Sequence, residues 1–357
     1  MVQRPSTSPF QGEDRGFESR RGYHLILPLL LILSGPATWA DEPSLDTRRG
    51  PTDVRDEHVL AQDRLTLPSL SPDTLEQGQF SLRTSFLWLN TFNWTQDVPG
   101  EHPGDRRFLI DGETRTLDLT FRYGLAADLD VAARVPLRWR GGGVLDGLID
   151  TWHNLFSLPN GNRNDFLTDA FRVEGVTTDF HPFSWNDDVG TGLGNVELSA
   201  RWRFHHAGRD GWSVAAATHV ALPTGTFPFD DDAAGVGLQL VAAKRLGRRW
   251  DLFLGAGTTL QGDGPVRVVQ YETARVHGFT AFEWRPGRRI SLVAETDIAS
   301  RLIANIASYP GMHWMVHGEA RIDVTRRVRL ELGFTENLKD QQSTADFGML
   351  FGLVWRR

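Results

Sequence analysis

Cysteine is missing from this chain of 357 residues, and lysine occurs only at positions 244 and 339. Without cysteine there is no disulfide framework and no lipid-modified N-terminal cysteine. With so little lysine, arginine carries nearly all the positive charge, and the formal net charge is -7. That acidic balance excludes nucleic acid as a main partner. Gly-x-Ser-x-Gly and His-Glu-x-x-His are absent too, so neither a hydrolase nucleophile nor a zinc-hydrolase site announces itself. The apolar run Leu25 to Leu33 is too short to cross a membrane as a helix.

That run fits a secretory signal instead. Arg20 and Arg21 precede it, Ser34-Gly35-Pro36 follow, and Thr38-Trp39-Ala40 offers a small-residue cleavage site before Asp41. Residues 1–40 are therefore expected to be a signal peptide with an upstream extension, because the 19 residues ahead of Arg20 exceed what a signal needs. Residues 41–78 are polar, hold prolines at 43, 51, 68 and 72, and show no sustained period; they read as a mobile periplasmic leader.

From Gln79 onward the chain alternates. About twelve segments have strand periodicity, each close to the length that crosses a bilayer when tilted. One parity is apolar, as in Leu117, Leu119, Phe121 and Tyr123, or Val328, Leu330, Leu332 and Phe334. The other is polar, charged or small. A soluble sandwich could alternate in this way, but the connectors decide against it. They run long and short in strict succession, as in a barrel with tight turns on one rim and long loops on the other. Tyr123, Trp202, Trp212, Trp250, Trp284 and Trp355 all fall at short-turn ends, where an interfacial aromatic girdle belongs. The final ribbon "FGMLFGLVWRR" then faces lipid and closes the barrel against the first strand. The fold expected is an all-β antiparallel transmembrane barrel of the outer membrane over residues 79–357, with both termini on the periplasmic side.

Tight turns fix register, so facing inward residues can be read off. Pairing Tyr123 with Leu129 sets Arg122 opposite Asp130 and Asp118 opposite Arg134. Further along, Arg245 faces Asp251, His277 faces Asp297, Arg321 faces Glu331 and Asp323 faces Arg329. Matching charges of this kind predict a lumen wall stitched by ion pairs, and a wall of mixed sign does not predict strong anion or cation selectivity. His219, His277, His313 and His317 take the inward parity and read as polar wall residues.

The third connector holds a short amphipathic helix. Val144, Leu145, Leu148, Ile149, Trp152, Leu155 and Phe156 recur on one face until Pro159-Asn160-Gly161 stops it. Its apolar face can pack on the barrel mouth, enter the lumen as a constriction, or lie on the membrane. The lumen constriction, built by Val144, Leu145, Leu148, Ile149, Trp152 and Phe156, is the expectation carried forward. Asp146, Asp150 and His153 share a side of the helix at spacings that suit a metal, but such trios are common on helices, and no cofactor is expected. The loop acids Asp187, Asp188, Asp230, Asp231 and Asp232 read as solvated.

Four stretches carry a family resemblance: "LIDGETRTLDLTFRYGL" (109–125), Gly142 to Asp146 with Trp152-His153 and "FSLPNGNR" (156–163), "TGLGNVEL" (191–198) and "LPTG" (222–225). Through them the chain resembles a Gram-negative family filed as domain of unknown function 3187. The resemblance implies an outer-membrane barrel and no substrate. The function expected is a passive or gated channel for a small solute. Outer-membrane lipid, lipopolysaccharide and the barrel-assembly machinery are the expected partners. A lipid-modifying barrel enzyme and a structural or surface-binding barrel with a closed lumen are the alternatives.

Overall fold

A computed structural model describes residues 48–95, 108–157, 163–208, 211–229, 232–262, 268–306, 309–337 and 344–357. The expected signal at 1–40, the first leader residues, Pro159-Asn160-Gly161 and the acids Asp230 and Asp231 lie outside the described residues.

In chain order the strands begin with β1 (Phe80–Thr95), β2 (Phe108–Ala126) and β3 (Leu129–Gly141), followed by helix α1 (Asp146–Phe156). Three short strands come next, β4 (Arg172–Val176), β5 (Pro182–Ser184) and β6 (Gly190–Leu193). The remainder are β7 (Glu197–His206), β8 (Trp212–Ala221), β9 (Gly235–Arg245), β10 (Trp250–Gln261), β11 (Ala274–Trp284), β12 (Ile290–Ser300), β13 (Met312–Asp323), β14 (Val328–Asn337) and β15 (Phe347–Arg356).

Twelve of these, β1 to β3 and β7 to β15, form a closed antiparallel barrel in which each pairs with the next. The circle shuts where β15 lies against β1, with Phe351 opposite Phe86 and Arg356 opposite Ser81. Period-2 side chains give each stave a lipid face and a lumen face. The outward set is large, apolar and exposed, as at Phe121, Leu238, Val276 and Leu332. At the short-turn rim Trp250 stacks on Trp284 at 5.8 Å and Phe80 meets Trp355 edge-on at 4.9 Å. β4 pairs with the outer end of β2 beyond the reach of β3, and β5 pairs with β4.

The ion-pair register is met in part. Arg245 stands opposite Asp251, Arg321 opposite Glu331 and Asp323 opposite Arg329. Between β2 and β3 the chain turns tightly at residues 127–128 and a one-residue bulge follows at Gly124/Ala126, so the register lies two residues from the reading and Tyr123 faces Val131 rather than Leu129. Parity survives a shift of two. The long side chains bridge the offset diagonally, leaving Arg122 on Asp130 at 2.5 Å and Arg134 on Asp118 at 2.7 Å. The expected pairing of His277 with Asp297 does not occur. His277 faces Ala299 and hydrogen-bonds Thr259 at 3.1 Å, because the β11–β12 turn also sets the register two residues away from the reading.

Candidate functional site

A barrel of eight strands fills its interior with its own side chains, and twelve enclose more space than that. Here the surplus is occupied by residues 48–78, which corrects the expectation of a mobile periplasmic leader. The segment enters at the short-turn rim, where Arg49 binds Asp323 and donates to the Arg288 carbonyl at 2.6 Å. It climbs past Glu295 and His313, turns over at Val59 to Arg64, and descends past Gln261, Gln239 and Arg201. It leaves at the same rim, where the Gly78 N–H donates to the Gly124 carbonyl. Thr52 and Leu60 are fully buried, and cavities of about 30 and 100 Å³ remain between this hairpin and the wall.

The wall is shaped for the hairpin. A Cβ on Gly237 or Gly257 would come within 2.7 or 2.6 Å of Leu67, so only glycine leaves room for that side chain. At the top, Val59, Leu60 and Ala61 sit in an apolar cluster with Phe108, Val173, Tyr271, Ile303 and Tyr309 from the long-loop rim. Halfway up, Glu57 binds both Arg134 and Arg138 and accepts from the Thr116 hydroxyl. Burying one carboxylate against two guanidiniums satisfies charges that would otherwise be costly in a closed lumen. On the facing wall Asp297 takes His313 and His317 together, and His313 reaches across to Asp56 at 3.0 Å. The predicted wall pairs are thus half of a network whose other half is the leader. Arg321, for example, is 3.9 Å from Glu331 but donates at 2.6 Å to the Pro51 carbonyl.

Helix α1 is not in the lumen, which corrects the constriction reading. Leu145 and Ile149 pack with Trp88, Trp152, Phe347 and Met349. Trp152 also lies 6.0 Å from Phe334. Trp88, Phe334, Phe347 and Met349 all have the lipid-facing parity; their alternates Leu87, Leu89 and Leu350 pack inward on Val54 of the leader. The helix therefore lies on the outer wall over β14, β15 and β1, near the long-loop rim. Val144, Leu148 and Leu155 point away from the barrel and are exposed, and the Phe156 side chain lies outside the described set.

Polar groups fix the helix there. Glu113 accepts the N–H groups of Val144 at 2.7 Å and Leu145 at 2.5 Å, and the Trp88 indole N–H at 2.6 Å. Arg163 donates to Asp146 and Asp346, each at 2.6 Å, and to Asn90 at 3.0 Å. Asp146 is thus an anchor for Arg163 rather than one of a trio with Asp150 and His153; His153 turns to Glu336, 3.7 Å away. Sequence reasoning missed Arg163, Asn90, Glu113 and Asp346, and no spacing signalled them, since they come from four separate segments. The leader could have been found: about half of the inward positions of β8 to β10 are alanine or glycine, too small to fill the space they face.

Glu336 raises the pKa of His153, and burial pushes the Asp346 carboxyl from its ordinary 3.8 up to about 6 against the pull of Arg163. Both groups hold a proton more tightly docked than free. Docking of α1 is therefore strongest at low pH and weakens as pH rises through about 6. Proteolysis around residues 142–170 should run slower at pH 5.5 than at pH 8, after normalising to an unstructured substrate. The reverse order would sink this.

The family of the chain is decided by its sequence profile. A model described as "Protein of unknown function (DUF3187)" matches residues 29–356. The chain belongs to the DUF3187 family. No curated protein matches it. Among solved structures, the COG4313 outer membrane channel from Pseudomonas putida F1 is 14% identical with a TM-score of 0.54, covering 80% of this chain and 98% of that one. The KdgM porin is more distant, 7% identical at 0.40 over 78% and 98%. The P. putida toluene transporter TodX is 11% identical at 0.38 over 79% and 90%. Shared architecture is what the first of these likenesses carries, and this DUF3187 member is a twelve-stranded antiparallel β-barrel by fold.

Proposed function

We propose that this protein is a gated channel for small polar solutes, shut in the conformation described by residues 48–78. The observation that carries the reading is the chemistry of the seal. Below its tip the hairpin makes apolar contact at Val54 and Leu70 but is held mostly by hydrogen bonds and ion pairs, with no β-ladder to the wall, and water can take over each of those polar bonds when the hairpin moves. A polar lumen under a movable polar plug suits passage of hydrated solutes. A dry apolar filling would not. Export by the signal at 20–40, insertion by the barrel-assembly machinery and a surround of lipid and lipopolysaccharide belong to the same reading.

An enzyme is less well supported. His206 and Ser213 make a hydrogen bond of 2.8 Å at the short-turn rim, but the serine hydroxyl also accepts from Arg48 at 3.0 Å. The group beside that pair is a guanidinium, not the carboxylate a hydrolase would need.

Single-channel recording tests the proposal. Wild type should be silent for most of a record, with brief openings of uniform size. Glu57→Gln removes the negative charge from Arg134 and Arg138 and should raise the open fraction about tenfold without changing the step size. Permanent silence of both proteins, folded as judged by heat-modifiable mobility, would favour a closed structural barrel.

A further inference from the structure

The descending limb of the leader shows what the lumen wall recognises. Gln261 accepts the Leu65 N–H at 2.7 Å and donates to the Asp63 carbonyl at 3.2 Å. Gln239 donates to the Pro68 carbonyl at 2.9 Å, Arg201 to that of Ser71 and Arg122 to that of Asp73. Asp130 accepts the Leu75 N–H at 2.9 Å. Side chains from β10, β9, β7, β2 and β3 thus form a track that runs down the lumen and reads main-chain amides in both polarities. The ascending limb is read in the same way, Glu295 accepting the Thr52 N–H at 2.7 Å and Thr114 donating to the Glu57 carbonyl at 2.8 Å.

Contacts to main chain do not depend on sequence. Any extended peptide presents the same alternation of N–H and C=O groups. A second observation points the same way. Beside the descending limb lies the 100 Å³ cavity lined by Arg122, Asp130, Arg201 and His219. The buried atom Arg201 Nε in that lining has no hydrogen-bond partner. A donor is therefore to spare along the track, and a buried polar group in that state favours a ligand that can satisfy it.

We infer that the solutes for which this lumen is built are short oligopeptides in extended conformation, and that the leader is a resident stand-in for them. The inference rests on the channel reading above. A peptide entering the track exchanges its amides for those of the descending limb, so it both passes and displaces the plug. A sugar of similar size offers hydroxyls at the wrong spacing and has no such exchange.

Flux from proteoliposomes holding the full chain is the test. Trialanine should leave about tenfold faster than a monosaccharide, although the sugar is the smaller molecule, a preference on the scale of one or two charge-assisted hydrogen bonds. Trialanine methylated on its amide nitrogens lacks the N–H donors and should lose the advantage. Joining the plug to the wall through Leu65→Cys and Gly235→Cys, then oxidising, should stop all three fluxes. If peptide and sugar pass equally and the crosslink stops both, the channel reading stands and the peptide inference falls. If nothing passes before or after reduction, or if flux ignores the crosslink, both fall.

Discussion

Oxidised Leu65→Cys/Gly235→Cys protein is expected to show no openings at all, and reductant is expected to restore wild-type records. A Cβ on Gly235 would lie 3.1 Å from the Leu65 Cβ, a little inside the 3.5–4.5 Å typical of a disulfide, and small adjustments of the leader close that gap. Gly235 has no left-handed backbone requirement, so the substitution brings no conformational penalty. The absence of native cysteine means no competing thiol can mispair. A bond at this position holds the descending limb to β9 while leaving every wall residue of the ion network in place. Openings that continue in the fully oxidised protein would mean that current does not run where the leader sits, and the plug would lose its assigned role.

The second large effect concerns the outer wall. Arg163→Ala should release α1 from the barrel without altering the size or frequency of channel openings. The guanidinium is the shared donor for Asp146, Asp346 and Asn90, and its side chain is 5% exposed. Its removal leaves two carboxylates facing each other in a buried setting, at a cost of roughly 3–5 kcal/mol, enough to free a short docked helix. Two readouts separate the consequences. Trp152, packed between Phe334 and Phe347, should shift its emission to the red, and protease should cut near α1 much faster. Conductance should stay as it was. Steps that grow in this variant would return the helix to the lumen and overturn its placement on the lipid side.

Much of the barrel could be read without coordinates because its determinants are local. Alternation, turn length and the sorting of tryptophans by rim each depend on a few neighbouring residues, and together they locate twelve staves, the seam and the inward parity. Register was legible at Arg245 with Asp251, and failed by two residues at the β2–β3 and β11–β12 turns, whose lengths differ from those the hydrophobic pattern implies. The candidate site was less legible, for two different reasons. Helix α1 shows that amphipathicity specifies an apolar face and not its destination: Leu145 and Ile149 would be buried equally well inside or outside the wall, and Arg163, seventeen positions beyond Asp146, decides which. The leader shows that a polar stretch without periodicity is not thereby mobile. Its order comes from the wall, through contacts such as Glu57 with Arg134 and Arg138, whose partners are separated by up to 81 positions in sequence.

Both limbs of the leader open onto one rim, and this has a mechanical consequence. Among the described residues no chain end is threaded through the barrel, so the hairpin of residues 48–78 can be drawn out and returned through the rim by which it entered. A pull on the chain ahead of Arg48 would load the contacts of the ascending limb in series, Arg49 first, then Thr52, then Glu57. Bonds loaded one after another yield at far smaller force than the same bonds loaded together. The seal is therefore strong against pressure or thermal agitation spread along its length and weak against tension applied at its short-turn end.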